Sequence, residues 1–250
     1  MRRKVLRMTS GIPLIGSVAF GLVDRGTNVI QVRPVSSCPL SCIFCSTDAG
    51  PNSRTRQTEY VVDLKHLLTW FDKVVREKRA SSVEAHIDTV GDPFTYYSIV
   101  DLIRELKDMP EVRVTSVQTH GPLLTQKLVE ELERAELDRI NLSVDSLNEG
   151  KARYLAGSSW FKLGKVLDVA RRIAESSIDL LIAPVWVPGL NDEDIPQLIS
   201  YALKLGAGKR WPALGIQKYE AYRGGRRPEG VRPMSWSDFY KSLMNWEEEF

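Results

Sequence analysis

Apolar and polar positions along the 250-residue chain follow two rhythms. Short β-branched runs at residues 29–32, 83–87, 112–117, 140–144, 178–187 and 214–216 are the right length for buried strands. Apolar residues recur at helical spacing over 64–78, 97–107, 126–135, 160–175, 194–205 and 236–248. Asp63, Asp192 and Ser235 supply polar starts for three of these helices. Strand followed by helix, repeated six times, predicts a parallel sheet with right-handed crossovers. Six units are too few to close an eightfold barrel. The expected fold is therefore α/β, an open partial (β/α)6 barrel whose ligands sit at the carboxyl ends of the strands.

Residues 1–28 read as an N-terminal β-hairpin extension to a barrel spanning 29–250. The segment 12–23 is expected as strand, with a turn at Asp24-Arg25-Gly26-Thr27 and a second strand after it. Arg2, Arg3 and Lys4 before an apolar segment also resemble a signal peptide. Pro13, Gly16, Ser17 and Gly21 interrupt that segment, however, and Asp24-Arg25 follow where small residues would mark cleavage. It is too short to span a bilayer, so no membrane association is expected. The chain stops inside a helical pattern with no glycine cap, which leaves room for a further C-terminal module absent from this chain.

Composition narrows the picture mainly through cysteine. A formal net charge of +2 excludes a strongly basic nucleic-acid binder by bulk composition, although local patches stay open. The three cysteines, Cys38, Cys42 and Cys45, lie within eight residues of each other. An odd, tight set is a poor disulfide framework and a good metal-ligand set, in keeping with a reducing, cytoplasmic setting. Three thiolates on one loop can hold three irons of a [4Fe–4S] cubane and leave the fourth iron open. The alternative is zinc, completed by His66, His86 or His120, although structural zinc sites usually pair two CxxC knuckles and only one occurs here.

The run Cys38-Pro39-Leu40-Ser41-Cys42-Ile43-Phe44-Cys45 follows the first parallel strand. Its spacing, with Phe44 directly before the last cysteine, resembles the signature of the radical S-adenosylmethionine (SAM) superfamily. That resemblance implies a partial barrel of radical SAM type. It also implies a [4Fe–4S] cluster on Cys38, Cys42 and Cys45, whose open iron binds SAM and which cleaves it to a 5′-deoxyadenosyl radical that abstracts hydrogen from substrate.

Other strand ends resemble the same family. Thr89-Val90-Gly91-Asp92-Pro93 is similar to its Gly-Gly-Glu-Pro segment, so Gly91 and Asp92 are expected at the methionine ammonium, with Asp92 equally suited to capping a turn. Gln118-Thr119-His120-Gly121 resembles its Thr-Asn-Gly turn, which places Thr119 at the cofactor and makes His120 the candidate catalytic residue. Ser143 and Asp145 match its Ser-x-Asp at strand four. Val185 and Val187, before a Pro-Gly-Leu-Asn turn, are expected to receive adenine. An electron donor of ferredoxin or flavodoxin type is implied as a partner.

The target of the radical is less legible. No cysteine lies outside the cluster loop, so this chain holds no second cysteine-ligated cluster. Arg2, Arg3, Lys4 and Arg7 make a basic N-terminal stretch. Between Lys204 and Arg232, eight basic residues face only Glu220 and Glu229, with Trp211, Tyr219 and Tyr222 interleaved. Phosphate pairing plus base stacking is a mode of RNA binding, so Arg223, Arg226 and Arg227 are the expected contacts of an RNA substrate, tRNA in particular. The competing readings are a radical SAM enzyme acting on a protein, peptide or small metabolite, including glycyl-radical activation, and a non-enzymatic metal-binding module.

Overall fold

The computed structural model describes residues 3–250. Its main sheet has six strands in the order β2-β3-β5-β6-β7-β8, formed by β2 (Gly21–Asp24), β3 (Val29–Arg33), β5 (Val83–Ile87), β6 (Val112–Thr119), β7 (Arg139–Leu142) and β8 (Asp179–Ile182). The five strands from β3 onward run parallel; β2 is antiparallel to β3 across a turn in which Asp24 Oδ1 accepts the Gly26 N–H at 2.9 Å. Helices α1 (Leu64–Lys78), α2 (Ile99–Lys107), α3 (Gln126–Arg134), α4 (Glu149–Leu155), α5 (Leu163–Glu175) and α6 (Asp194–Leu205) supply the crossovers, and α7 (Trp236–Glu249) ends the chain. The edges β2 and β8 are not joined, so the sheet forms the expected partial barrel.

Strand alternation divides the sheet into two faces. Val83, Ala85 and Ile87 are buried with Leu67, Phe71, Leu102 and Leu106 in the apolar core. Glu84 and His86 take the other face and meet Ser116 of β6, while Arg139 and Asn141 of β7 join the same network. The helix-facing side is therefore apolar and the barrel interior polar.

Several boundaries differ from expectation for local reasons. Only Gly21–Asp24 of the segment 12–23 is strand. Gly11, Gly16 and Gly21 all have positive φ, and a Cβ on Gly21 would lie 2.1 Å from Leu14 O, so the chain folds back there. Residues Lys4–Met8 form β1 instead, parallel to β4 (Thr58–Val62), and neither strand was expected. Arg2 lies outside the described residues, and Arg3 is tied to Glu59 at 2.8 Å. The expected strand 178–187 is split at Pro184, which has no N–H, into β8 and the two-residue β9 (Val185–Trp186). Its partner, expected at 214–216, keeps a single bridge at Leu214 and continues as β10 (Gln217–Lys218) against β9. Helix α4 was missed, although Asn148 caps it by accepting the Lys151 N–H. Asp63 and Ser235 cap as expected; Asp192 instead accepts from the Trp186 indole and Gly189 N–H, and α6 begins at Asp194.

Candidate functional site

The segment leaving β3 is fixed before it reaches the cysteines. Ser36 accepts the Tyr60 N–H and donates to Glu59, which stitches it to β4. The cysteine loop then packs on the end of α4, where Ser41 N–H and Ile43 N–H donate to Ala156 O and Leu155 O. This approach depends on glycine: a Cβ on Gly157 would sit 2.0 Å from Ser41 O, and one on Gly50 would sit 1.5 Å from Leu40 O.

Asp48 and Arg226 hold the loop from the other side. Asp48, in a left-handed conformation at φ 48°, accepts from Ser53, Arg54 N–H and both donors of Thr55. The Arg226 guanidinium donates to Cys42 O at 2.7 Å and to Ala49 O and lies 3.3 Å from Asp48 Oδ1, while the Arg226 backbone N–H donates to Cys45 O at 2.8 Å. This corrects the expectation that Arg226 contacts RNA. Its side chain is 17% exposed and all three nitrogens face the cysteine loop. Arg223 and Arg227 do lie on the surface.

The rest of the expected RNA patch is divided: Lys204, Lys209, Arg210 and Arg232 are exposed, but several of its groups also have partners within the fold. Lys209 donates to three carbonyls at the end of α5, Arg210 pairs with Asp138, and Lys218, 3% exposed, pairs with Glu220. Trp211 is stacked by Arg139 and Arg210, and Tyr219 is buried, so Tyr222 alone of the interleaved aromatics is exposed.

Cys38, Cys42 and Cys45 share the wall of one cavity of about 600 Å³ at the carboxyl ends of the strands. Phe44, Gly91, Asp92, Thr119, His120, Ser143 and Val185 line the same cavity. Val187 does not. It is fully buried in the core, its N–H held by Asn191 Oδ1. Asp145 lies just behind the wall, where Oδ1 accepts the Val185 N–H at 2.9 Å and Oδ2 lies 3.7 Å from His120 Nδ1. Asn191, which no spacing singled out, donates to Asp145 O and Val185 O and so fixes both strand ends.

Asp92 does what a capping residue does and also faces the cavity. Its Oδ1 accepts the Phe94 N–H, its Oδ2 accepts the Thr119 hydroxyl at 2.8 Å, and burial raises its pKa. Gly91 is required here because a Cβ would fall 2.1 Å from Ser37 O. His120 Nε2 lies 3.8 Å from Cys42 Sγ, which places the candidate catalytic imidazole beside an expected ligand sulfur.

The thiols are not equivalent. Burial pushes Cys38 and Cys42 well up, with Asp92 and Asp145 adding to the effect. Burial also opposes ionisation of Cys45, but hydrogen bonds from Thr47 and Ala49, with Arg226 nearby, bring it below its ordinary value. Cys45 is thus the thiol whose ionised form its neighbours favour. Among the described residues, no three His, Cys, Asp or Glu side chains are grouped closely enough to chelate one ion. Three thiols on one loop suit a cubane, which spreads its thiolates over three irons.

Comparison with known proteins agrees with this arrangement. The family model described as the Radical SAM superfamily matches residues 32–202. The chain belongs to the radical SAM superfamily. Its cofactors are accordingly the [4Fe–4S] cluster and SAM, and the three thiols on one wall fit the cluster. An uncharacterized protein of Methanocaldococcus jannaschii is 42% identical across this whole chain, which spans 60% of that relative. A probable GTP 3′,8-cyclase of Pyrococcus abyssi is 28% identical, covering 92% of this chain and 68% of its own length. The chain spans about half the length of the bacterial GTP 3′,8-cyclases it matches. A spore photoproduct lyase structure superposes with a TM-score of 0.66 at 12% identity, over 98% of this chain and 78% of that one, a likeness of fold.

Proposed function

We propose that this radical SAM chain binds SAM between the cysteine loop and the ends of β5, β6 and β7, and acts on a small molecule admitted to the same cavity. The observation that carries this is the single cavity shared by the three thiols, Gly91, Asp92, Thr119, Ser143 and Val185. When bound, the cluster supplies the electron that splits a carbon–sulfur bond of SAM. The chain's own residues bind and orient. Cys38, Cys42 and Cys45 hold the cluster, and Asp92 with Gly91 receives the methionine ammonium. Thr119, kept by its hydrogen bond to Asp92, shapes that corner. Ser143, oriented by Gln118, and Val185, held by Asp145, face the nucleoside side. Phe44 and Leu40 exclude water beside the thiols.

A small substrate is favoured because the cysteine-lined cavity is of small-molecule size, and because Arg226, Lys218, Trp211 and Tyr219, four of the groups expected to bind RNA, have partners or are buried within the fold. The RNA reading keeps six exposed basic residues of that stretch, Arg223 and Arg227 among them, and Tyr222 as its support. Among the described residues, no helix is long and apolar enough to cross a membrane. The clustered free cysteines suit a reducing compartment such as the cytoplasm, with a ferredoxin- or flavodoxin-type electron donor.

Anaerobic reconstitution with SAM and reductant, followed by measurement of deoxyadenosine, tests this reading. Yield should rise with a small-molecule cell fraction, stay unchanged with bulk RNA, and vanish in Cys42→Ala. Full activity in Cys42→Ala would end the assignment, and stimulation by RNA alone would restore the nucleic-acid substrate.

A further inference from the structure

The cavity extends beyond the thiols to a wall formed by His86, Asp88, Gln118 and Arg33, which no cofactor role accounts for. The hydrogen bonds of His86 define its tautomer. Ser116 has one hydroxyl proton and donates it to Glu84 Oε1 at 2.6 Å, so it accepts from His86 Nδ1 at 2.7 Å. Arg139 donates to the same Oε1 at 2.5 Å, so that oxygen acts as an acceptor. The proton of the neutral ring is therefore on Nδ1, and Nε2 carries a lone pair. Among the described residues Nε2 has no hydrogen-bond partner, it is not fully enclosed, and the His86 side chain keeps 15% exposure and lines the cavity.

The neighbouring groups have the same bias. Asp88 holds Gln31 through Oδ2, and Gln118 gives one amide N–H to Ser143, which leaves its carbonyl oxygen and a second N–H. Apart from the Arg33 guanidinium, which donates to Val18 O and Gln31 Oε1, this wall presents mainly acceptors, so it fits a ligand with hydroxyl or amine donors. The charges around the imidazole are Asp88 and Glu84 on one side of the balance and Arg139 and Arg25 on the other. Burial outweighs them and lowers the pKa of His86.

We propose that His86 is the proton acceptor for a hydroxyl- or amine-bearing substrate in this part of the cavity, with Ser116 and Glu84 as its positioning residues. The proposal rests on the reading of the cavity as the reaction chamber. In the step, the substrate O–H or N–H bond breaks, its electron pair stays on the heteroatom, and an N–H bond forms at Nε2. The resulting imidazolium lies between Asp88 and Glu84. No oxidant or co-reactant is needed.

The chain has three histidines, so each can be followed by peptide mass spectrometry. Diethyl pyrocarbonate, which modifies unprotonated imidazole nitrogen, is applied to the anaerobic holoprotein at pH 8 and pH 6, with and without SAM. His86 should react, with a rate changing roughly two-fold or less between the two pH values, where an ordinary imidazole would slow about fourfold. SAM should leave that rate within about two-fold. Ser116→Ala removes the acceptor of the Nδ1 proton but leaves the ring buried, so the shallow pH dependence should stay while modification spreads to Nδ1, and Ser116→Thr should keep it at Nε2; the wild-type profile decides even where Ser116→Ala does not fold. An unreactive His86, an ordinary pH profile in the wild type, or shielding of His86 by SAM would each overturn the proposal. Deoxyadenosine formation by the same sample reports separately on the underlying reading. Its absence removes the chamber and His86's role with it, whereas its presence beside an unreactive His86 refutes His86 alone.

Discussion

At the scale of single residues, the site is held by groups that carry no cysteine signature. Arg226 is the clearest: its guanidinium reaches a carbonyl 184 positions away in sequence, and its charge offsets Asp48, which is buried beneath the loop. Removing one partner of a buried ion pair costs about 3–5 kcal/mol because the other charge is left uncompensated. Arg226→Ala should therefore lower the iron content of reconstituted protein several-fold and depress the melting temperature. Arg226→Ala with Asp48→Asn should recover part of the stability. Iron analysis and calorimetry check this; unchanged iron content would show that the brace is dispensable. That the cysteines, Phe44, Gly91 and Asp92 would meet at one cavity was legible because they sit in short runs of sequence. Arg226, Asp48 and His86 were not, since each acquires its role from partners brought together only by the barrel.

At the scale of elements, the same contrast appears. Helices α1 and α6 were read closely because amphipathic spacing is local. The pair β1–β4 was missed, since its pairing joins Lys4 to Thr58 and the strands make no long apolar run. Helix α4 is short, and its contribution is positional: its last carbonyls receive the cysteine loop and Gly157 lets that loop come close. Gly157 also has φ +57°, which an L side chain adopts with strain. Gly157→Ala should cost about 1–3 kcal/mol and reduce cluster occupancy, while far-UV circular dichroism stays near wild type. Asn191→Ala acts at the opposite wall, leaving Asp145 O, Val185 O and the Val187 N–H without their partner. An unsatisfied buried group costs about 1–3 kcal/mol, so the denaturant midpoint should fall. SAM affinity, measured by equilibrium dialysis, should weaken because Val185 and Asp145 lose their spacing.

At the scale of the whole molecule, an open barrel must fasten the edge that a closed one would pair. Here a carboxylate takes that part. Asp179 begins β8 and accepts the N–H groups of Lys209, Arg210 and Trp211 at 2.8, 2.6 and 2.9 Å, which folds the segment after α6 back over the edge. Burial works against its ionisation, but these backbone hydrogen bonds outweigh it and the pKa falls below the ordinary 3.8. A depressed carboxylate pKa means that the unfolded chain binds the proton more readily than the folded one. The resulting stability is fully present above about pH 4 and is lost as pH falls through the folded-state pKa. Asp179→Asn keeps the size but turns an amide toward three N–H donors, so it should lose about 2–3 kcal/mol near neutrality, typical of hydrogen bonds to a charged group. The difference in unfolding free energy between wild type and Asp179→Asn should then shrink as denaturation is followed from pH 6 down through pH 3. A gap that stays constant over that range would mean that charge is not what holds the open edge of the barrel.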